Sequence, residues 1–99
     1  MRHVMVRYTT RAERADENAR LIEKVFDRLR TTAPPGLTYA SYRLDDGVSF
    51  VHVASVDNED ENPLRQLEEF REFTSGVRDR CERPPVTSEL REVGRYPAR

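Results

Sequence analysis

His52 is the side chain in this sequence best placed to do chemistry. It stands in VSFVHVASV (48–56), two residues from Phe50 and two from Ala54, the spacing of one strand face. An imidazole titrates near neutrality, so it can serve as general base, hydrogen-bond partner or metal ligand. A hydrogen-bonded histidine of the core fits the same spacing, and these roles stay open. A metal would need further converging ligands, yet Cys81 is the single cysteine and His3, the other histidine, belongs to a different strand. No metal site is therefore expected. Around His52, the rings of Tyr39, Phe50, Phe70 and Phe73 could enclose a flat apolar ligand, because such pockets combine aromatic walls with a few placed polar groups. The alternative is that they simply fill the core. Tyr39 and Tyr42 fall on opposite faces of their strand, so only one of them can share a cavity with a given Phe.

Other candidates read more plainly. In RDRCER (78–83), Arg78, Arg80 and Arg83 cluster near a helix end, where cations complement the helix dipole; a solvated helix end is expected, with a grip on a ligand carboxylate as the alternative. Cys81 continues an apolar stripe from Val77 and reads as core, since a catalytic thiolate needs a basic neighbour in a cleft. The acidic run Glu59-Asp60-Glu61 lacks the spacing and central glycine of a calcium loop. Asp46-Gly-Val-Ser-Phe-Val-His-Val53 lies close to the base-stacking strand of RNA-recognition domains. Its leading position is acidic, however, and two of three stacking aromatics are valines. Stacking contributes roughly 1–3 kcal/mol per base, so most of the affinity is missing.

The elements that must position these residues follow from periodicity. HVMVRY (3–8) alternates as a short strand, with Val4, Val6 and Tyr8 on one face. Ala15, Ala19, Ile22, Val25, Phe26 and Leu29 form the stripe of an amphipathic helix that TTAPPG (31–36) stops. LTYASYRL (37–44) and VSFVHVASV form a hairpin across Asp45-Asp46-Gly47, whose Asp-Gly step supplies the left-handed backbone of a tight turn. Asn62-Pro63 reads as cap and first residue of a second helix, with Leu64, Leu67, Phe70, Phe73 and Val77 carrying it to Cys81 and Gly76 as a point of kinking. Arg83-Pro84-Pro85 ends that helix, and VTSELREVGRY (86–96) is the last strand. The order β-α-β-β-α-β predicts one ferredoxin-like α+β domain over 1–99, a four-stranded antiparallel sheet with both helices on one face. Val51 and Val53 give the third strand a second apolar face that those helices cannot cover. A second copy of the chain is the expected cover, making a homodimer through the sheet.

Composition bounds the rest. The net charge is −1, with 17 basic and 18 acidic residues interspersed, which argues against nucleic-acid and membrane-surface partners. With 36% hydrophobic residues and a mean hydropathy of −0.82, the core of a monomer would be thin, and self-association would add burial. A lone cysteine, with neither a leader-like start nor an 18-residue apolar run, points to the cytoplasm.

VRYTTRAERADENARLIEKVF, LTYASYRLDDGVSFVHVASV, and LEEFREFTSGVRDRCERPPV running into ELREVGRY together resemble the antibiotic-biosynthesis-monooxygenase-like group of the dimeric α+β barrel superfamily. The resemblance covers nearly the whole chain. It implies ferredoxin-like units dimerising through their sheets and a small oxygenase that needs no organic cofactor. Such an enzyme would take an aromatic or quinol-like substrate that reacts with dioxygen once deprotonated, with His52 as base or hydrogen-bond partner and Phe50, Tyr39, Phe70 and Phe73 positioning the ring. Enzymes of this group that oxidise polycyclic aromatic substrates without a cofactor rely on Trp, Tyr and Asn around the substrate, and haem-degrading relatives on an Asn, a Trp and a His ligand, whereas this chain has no Trp. Asn18, Asn58 and Asn62 fall in a helix, a connector and a helix cap, so no catalytic residue carries over by motif. A non-catalytic dimer that binds a small apolar ligand, or has a structural role, is the alternative function.

Overall fold

The computed structural model describes residues 1–98. Its elements are β1 (Arg2–Thr10), α1 (Ala15–Thr32), β2 (Leu37–Arg43), β3 (Ser49–Val56), α2 (Glu68–Ser75), a single helical turn α3 (Val77–Arg80) and β4 (Cys81–Leu90). The strands form one antiparallel sheet in the order β2-β3-β1-β4, with the helices on one face, so the ferredoxin-like α+β arrangement holds. Among the described residues no helix is long and apolar enough to cross a membrane.

Register places the chemistry. On β3, Phe50, His52, Ala54 and Val56 point to the helices and are buried. Val6 on β1 and Ser41 on β2 lie directly opposite His52, so Tyr8 and Tyr39 are its diagonal neighbours on either side. That diagonal is within reach of aromatic side chains. The core between sheet and helices is built on Tyr8, Ala15, Ile22, Val25, Phe50, Leu64, Leu67 and Phe73. The opposite face carries Met5, Ala40, Tyr42, Val51, Val53 and Val86, with no helix over them among the described residues, and Tyr42 and Val86 are 59% and 64% exposed.

The β2–β3 turn is locked by Asp46, whose carboxylate accepts the Val48 and Ser49 N–H groups at 2.9 and 2.8 Å and the Ser49 hydroxyl at 2.6 Å. Gly47 takes a φ of +79°, as the Asp-Gly step requires. Asn62 caps as expected, its side chain accepting the Leu64 N–H at 3.0 Å.

The second helix departs from expectation. Pro63–Gln66 is a 3-10 turn, Leu67 is extended, α2 spans only Glu68–Ser75, and Gly76 separates it from α3. The apolar residues 64, 67, 70 and 73 recur at steps of three, and each such step slips roughly 60° around an α-helix. One continuous helix would therefore turn Phe73 to the side opposite Leu64; the break lets Leu64, Leu67 and Phe73 all be buried. Cys81 does not close this helix but opens β4, which runs to Leu90 rather than over 86–96. Pro84 and Pro85 lie inside the strand, at a bulge between the Arg7↔Val86 and Thr9↔Arg83 pairs. An edge strand tolerates proline there because the missing N–H groups take no ladder bond.

Candidate functional site

Strand register alone brings three rings together. Tyr8, His52 and Tyr39, from β1, β3 and β2, stand nearly parallel, with the His52 centroid 5.4 Å from Tyr8 and 6.0 Å from Tyr39. The Tyr8 hydroxyl lies 2.8 Å from His52 Nε2. On the other side, Ser41 Oγ and the Tyr39 hydroxyl approach Nδ1 at 2.6 and 2.9 Å. His52 is only 4% exposed, and burial pulls its pKa down to about 4, because an imidazolium would lose its hydration there. At neutral pH it is therefore neutral. Burial pushes the Tyr8 and Tyr39 phenols up, so both keep their protons.

Behind Tyr8 the polar chain continues into the helical layer. Asn18 of α1 donates from Nδ2 to the Tyr8 hydroxyl at 2.8 Å, and Arg80 of α3 donates from Nε to Asn18 Oδ1 at 2.9 Å. Arg80 also donates to the Phe73 carbonyl at 2.7 Å and lies over the Phe73 ring. Arg80 is 3% exposed, so it is not a solvated helix end; Arg78 is exposed in α3, while Arg83, also exposed, lies in β4 opposite Thr9 rather than at a helix end. The turn at Gly76 makes this possible, since a Cβ there would meet Arg80 Nη1 at 2.9 Å. Among the described residues no buried side-chain nitrogen or oxygen lacks a partner.

Tyr8, His52 and Tyr39 form the polar end of a cavity of about 210 Å³ between sheet and helices. Its walls are Val4, Val6, Ala54 and Val56 from the sheet, Leu64, Phe70, Phe73 and Val77 from the helical side, and Pro85 from β4. An apolar cavity of about 150 Å³ can hold benzene, whereas drug-sized pockets start near 300 Å³, so this space suits one substituted ring. Glu59, Asn62 and Thr74 complete the lining, with Glu59 paired to Arg2 and Arg65 at 3.0 and 2.8 Å.

Of the residues singled out from sequence, His52, Tyr39, Phe70 and Phe73 line this cavity. Phe50 does not: it is 2% exposed, stacked on Tyr8 at 5.6 Å with the Arg43 guanidinium over its far side. Facing the helices, Phe50 cannot stack a nucleic-acid base either. His3 faces the opposite side of the sheet from His52 and bonds Ser55 Oγ at 2.6 Å. With both His52 nitrogens engaged and no group of three His, Cys, Asp or Glu converging among the described residues, a metal-ligand role for it has no geometric support. Cys81 is buried and its thiol is pushed up by burial, the reverse of what a nucleophile needs.

Tyr8, Ser41, Asn18 and Arg80 were not expected at the site. The asparagines are nearer the cavity than their elements suggested: Asn62 lines it, with its carbonyl engaged as a cap, and Asn18 stands one hydrogen bond behind Tyr8. A signal for Asn18 was available. It falls three residues after Ala15 and four before Ile22, in the middle of the buried stripe of α1.

No protein-family model matches the chain, and no curated protein does. Solved structures do. An antibiotic biosynthesis monooxygenase superimposes with a TM-score of 0.76 at 13% identity, over 95% of this chain and 100% of the other. Rv0793 from Mycobacterium tuberculosis gives 0.76 at 19% identity over 96% and 97%, and PA3566 from Pseudomonas aeruginosa gives 0.75 at 14% over 94% of each. At such identities the likeness establishes the fold, which is that of the antibiotic biosynthesis monooxygenases.

Proposed function

We propose that this chain, folded as the antibiotic biosynthesis monooxygenases are, binds a single-ring phenol or quinol in its cavity and oxygenates it without an organic cofactor. One observation carries this reading: a largely apolar, ring-sized cavity brings Tyr8, His52 and Tyr39 together at one end, with Glu59, Asn62 and Thr74 as the other polar residues of its lining. The ring of the ligand packs against Phe70 and Phe73, and its oxygen meets the polar end. For a quinol the reaction balances with no outside reductant. The quinol gives a proton to the Tyr8 hydroxyl as Tyr8 passes its own to His52 Nε2, one dioxygen atom becomes a new oxygen substituent of the ring, the other leaves as water, and the four electrons come from the quinol as it becomes a hydroxyquinone.

The low basicity of His52 favours a second reading, a non-catalytic binder of the same ligand class. Taking a proton from a phenol of ordinary pKa near 10 onto a group near 4 is uphill by about 8 kcal/mol before any pairing of the resulting ions. An oxygen electrode separates the two. With 1,4-hydroquinone, the enzyme reading expects uptake above autoxidation that falls at least about 100-fold in His52→Ala, the usual scale for loss of a general base. Calorimetric binding of hydroquinone without uptake favours the binder, and unchanged turnover in His52→Ala returns His52 to the core.

The same reading includes a homodimer through the open sheet face and a cytoplasmic setting. Val93 and Tyr96, in the segment after β4, are 100% and 99% exposed, and together with Tyr42 and Val86 they leave apolar surface that a second copy would cover.

A further inference from the structure

We infer that Arg80 is a positioning residue: it sets the direction of every hydrogen bond from Asn18 to His52, so that His52 carries its proton on Nδ1 and Tyr39 presents its O–H to the cavity. A guanidinium has donors only. Arg80 Nε, at 2.9 Å, therefore fixes the Asn18 amide with its oxygen toward Arg80 and its NH2 toward Tyr8. Tyr8 oxygen receives that N–H at 2.8 Å, and among the described residues the one acceptor within reach of its own proton is His52 Nε2, at 2.8 Å. Were Nε2 protonated instead, the buried Tyr8 hydroxyl would be left with no acceptor in the protein. Nε2 thus holds the lone pair and Nδ1 the hydrogen, which goes to Ser41 Oγ, the nearer oxygen at 2.6 Å. A protonated Nδ1 cannot accept from Tyr39, whose O–H is then left for a ligand or for the neighbouring Ser41 hydroxyl.

The buried cation thus makes the polar end of the cavity a donor. It selects a ligand whose polar end accepts, a carbonyl or phenolate oxygen. This consequence for the ligand rests on the cavity reading above, whereas the direction of the chain does not.

Nitrogen-15 NMR of labelled His52 at pH 7 reads the tautomer with no ligand or turnover involved. The wild type is expected as the Nδ1–H form. Asn18→Asp keeps the shape and the contact with Arg80 but offers only acceptors; Tyr8 must then donate to the carboxylate and accept from the ring, so His52 switches to Nε2–H. Arg80→Lys, still a pure donor, keeps the Nδ1–H form, while Arg80→Met frees the amide to turn and gives a population of Nε2–H. A wild-type Nε2–H form, or a tautomer indifferent to both Asn18→Asp and Arg80→Met, overturns the inference. Should Asn18→Asp fail to fold, the wild-type and Arg80 spectra still decide. For the ligand, Tyr39→Phe is expected to weaken benzaldehyde, an acceptor alone, about three- to tenfold and to leave toluene unchanged. Unchanged benzaldehyde affinity overturns the donor assignment, and failure of both compounds to bind wild type sinks the cavity reading while the tautomer result stands.

Discussion

Burying His52 ties stability to pH. The unfolded chain takes up the His52 proton near pH 6.5, while the folded protein resists it until about 4. Between those values the unfolded state holds more protons, so the contribution is complete above 6.5, falls as the pH drops through the window, and levels off below 4. Its full size is about 3 kcal/mol. Urea denaturation at pH 7, 5.5 and 4 should show this loss in wild type relative to His52→Gln, a comparison that cancels the carboxylates titrating over the same range. Arg80 imposes a second residue-scale constraint through Gly76. Its guanidinium is pinned by Asn18 and the Phe73 carbonyl, so a Cβ at 76 cannot push it aside freely. Gly76→Ala is expected to cost about 1–2 kcal/mol, read from the denaturation midpoint. His52 was legible in the sequence because a histidine between strand residues of one face has few places to go. Arg80 was not, because arginines at a helix end are ordinarily solvated and nothing local marks the one that turns inward.

At the scale of elements, strong local chemistry was readable and competition between elements was not. The Asp46-Gly47 turn, the α1 stripe and the Asn62 cap each follow from a few adjacent residues. The second helical segment depended instead on whether four apolar residues at three-residue steps could share one face, which the sheet beneath them decides. Likewise Pro84 and Pro85 end a helix by local rules, yet they sit in an edge strand because β1 offers Arg7 and Thr9 as partners around a bulge. The end of α1 also carries a local conflict. Ala33 takes a left-handed φ of 44° to return its N–H to the Leu29 carbonyl at 2.7 Å, a position glycine fills without a Cβ penalty. Ala33→Gly should therefore raise stability by about 0.5–1 kcal/mol, visible as a higher melting temperature.

At the scale of the molecule, the two faces of the sheet make opposite demands. One is covered by helices and holds the cavity. The other leaves Val51 and Val53 half-buried in the central strand and Tyr42 and Val86 largely exposed around them. Apolar surface of this extent, with Arg7 standing between Val51 and Val86, is uncommon on a protein that stays single, and a chain with 36% hydrophobic residues gains much from covering it. Two copies meeting through this face bury the same residues from both sides, as a two-fold interface requires. Gel filtration with light scattering should then give twice the 11.6 kDa chain mass at micromolar concentration. Val53→Arg puts a charge at the middle of that face, with its side chain pointing away from the cavity. It should return the mass to that of one chain while leaving the His52 tautomer unchanged, because nothing in the Arg80–His52 chain touches the outer face. A wild-type monomer would remove the dimer from the proposal, and a Val53→Arg dimer would move the interface elsewhere.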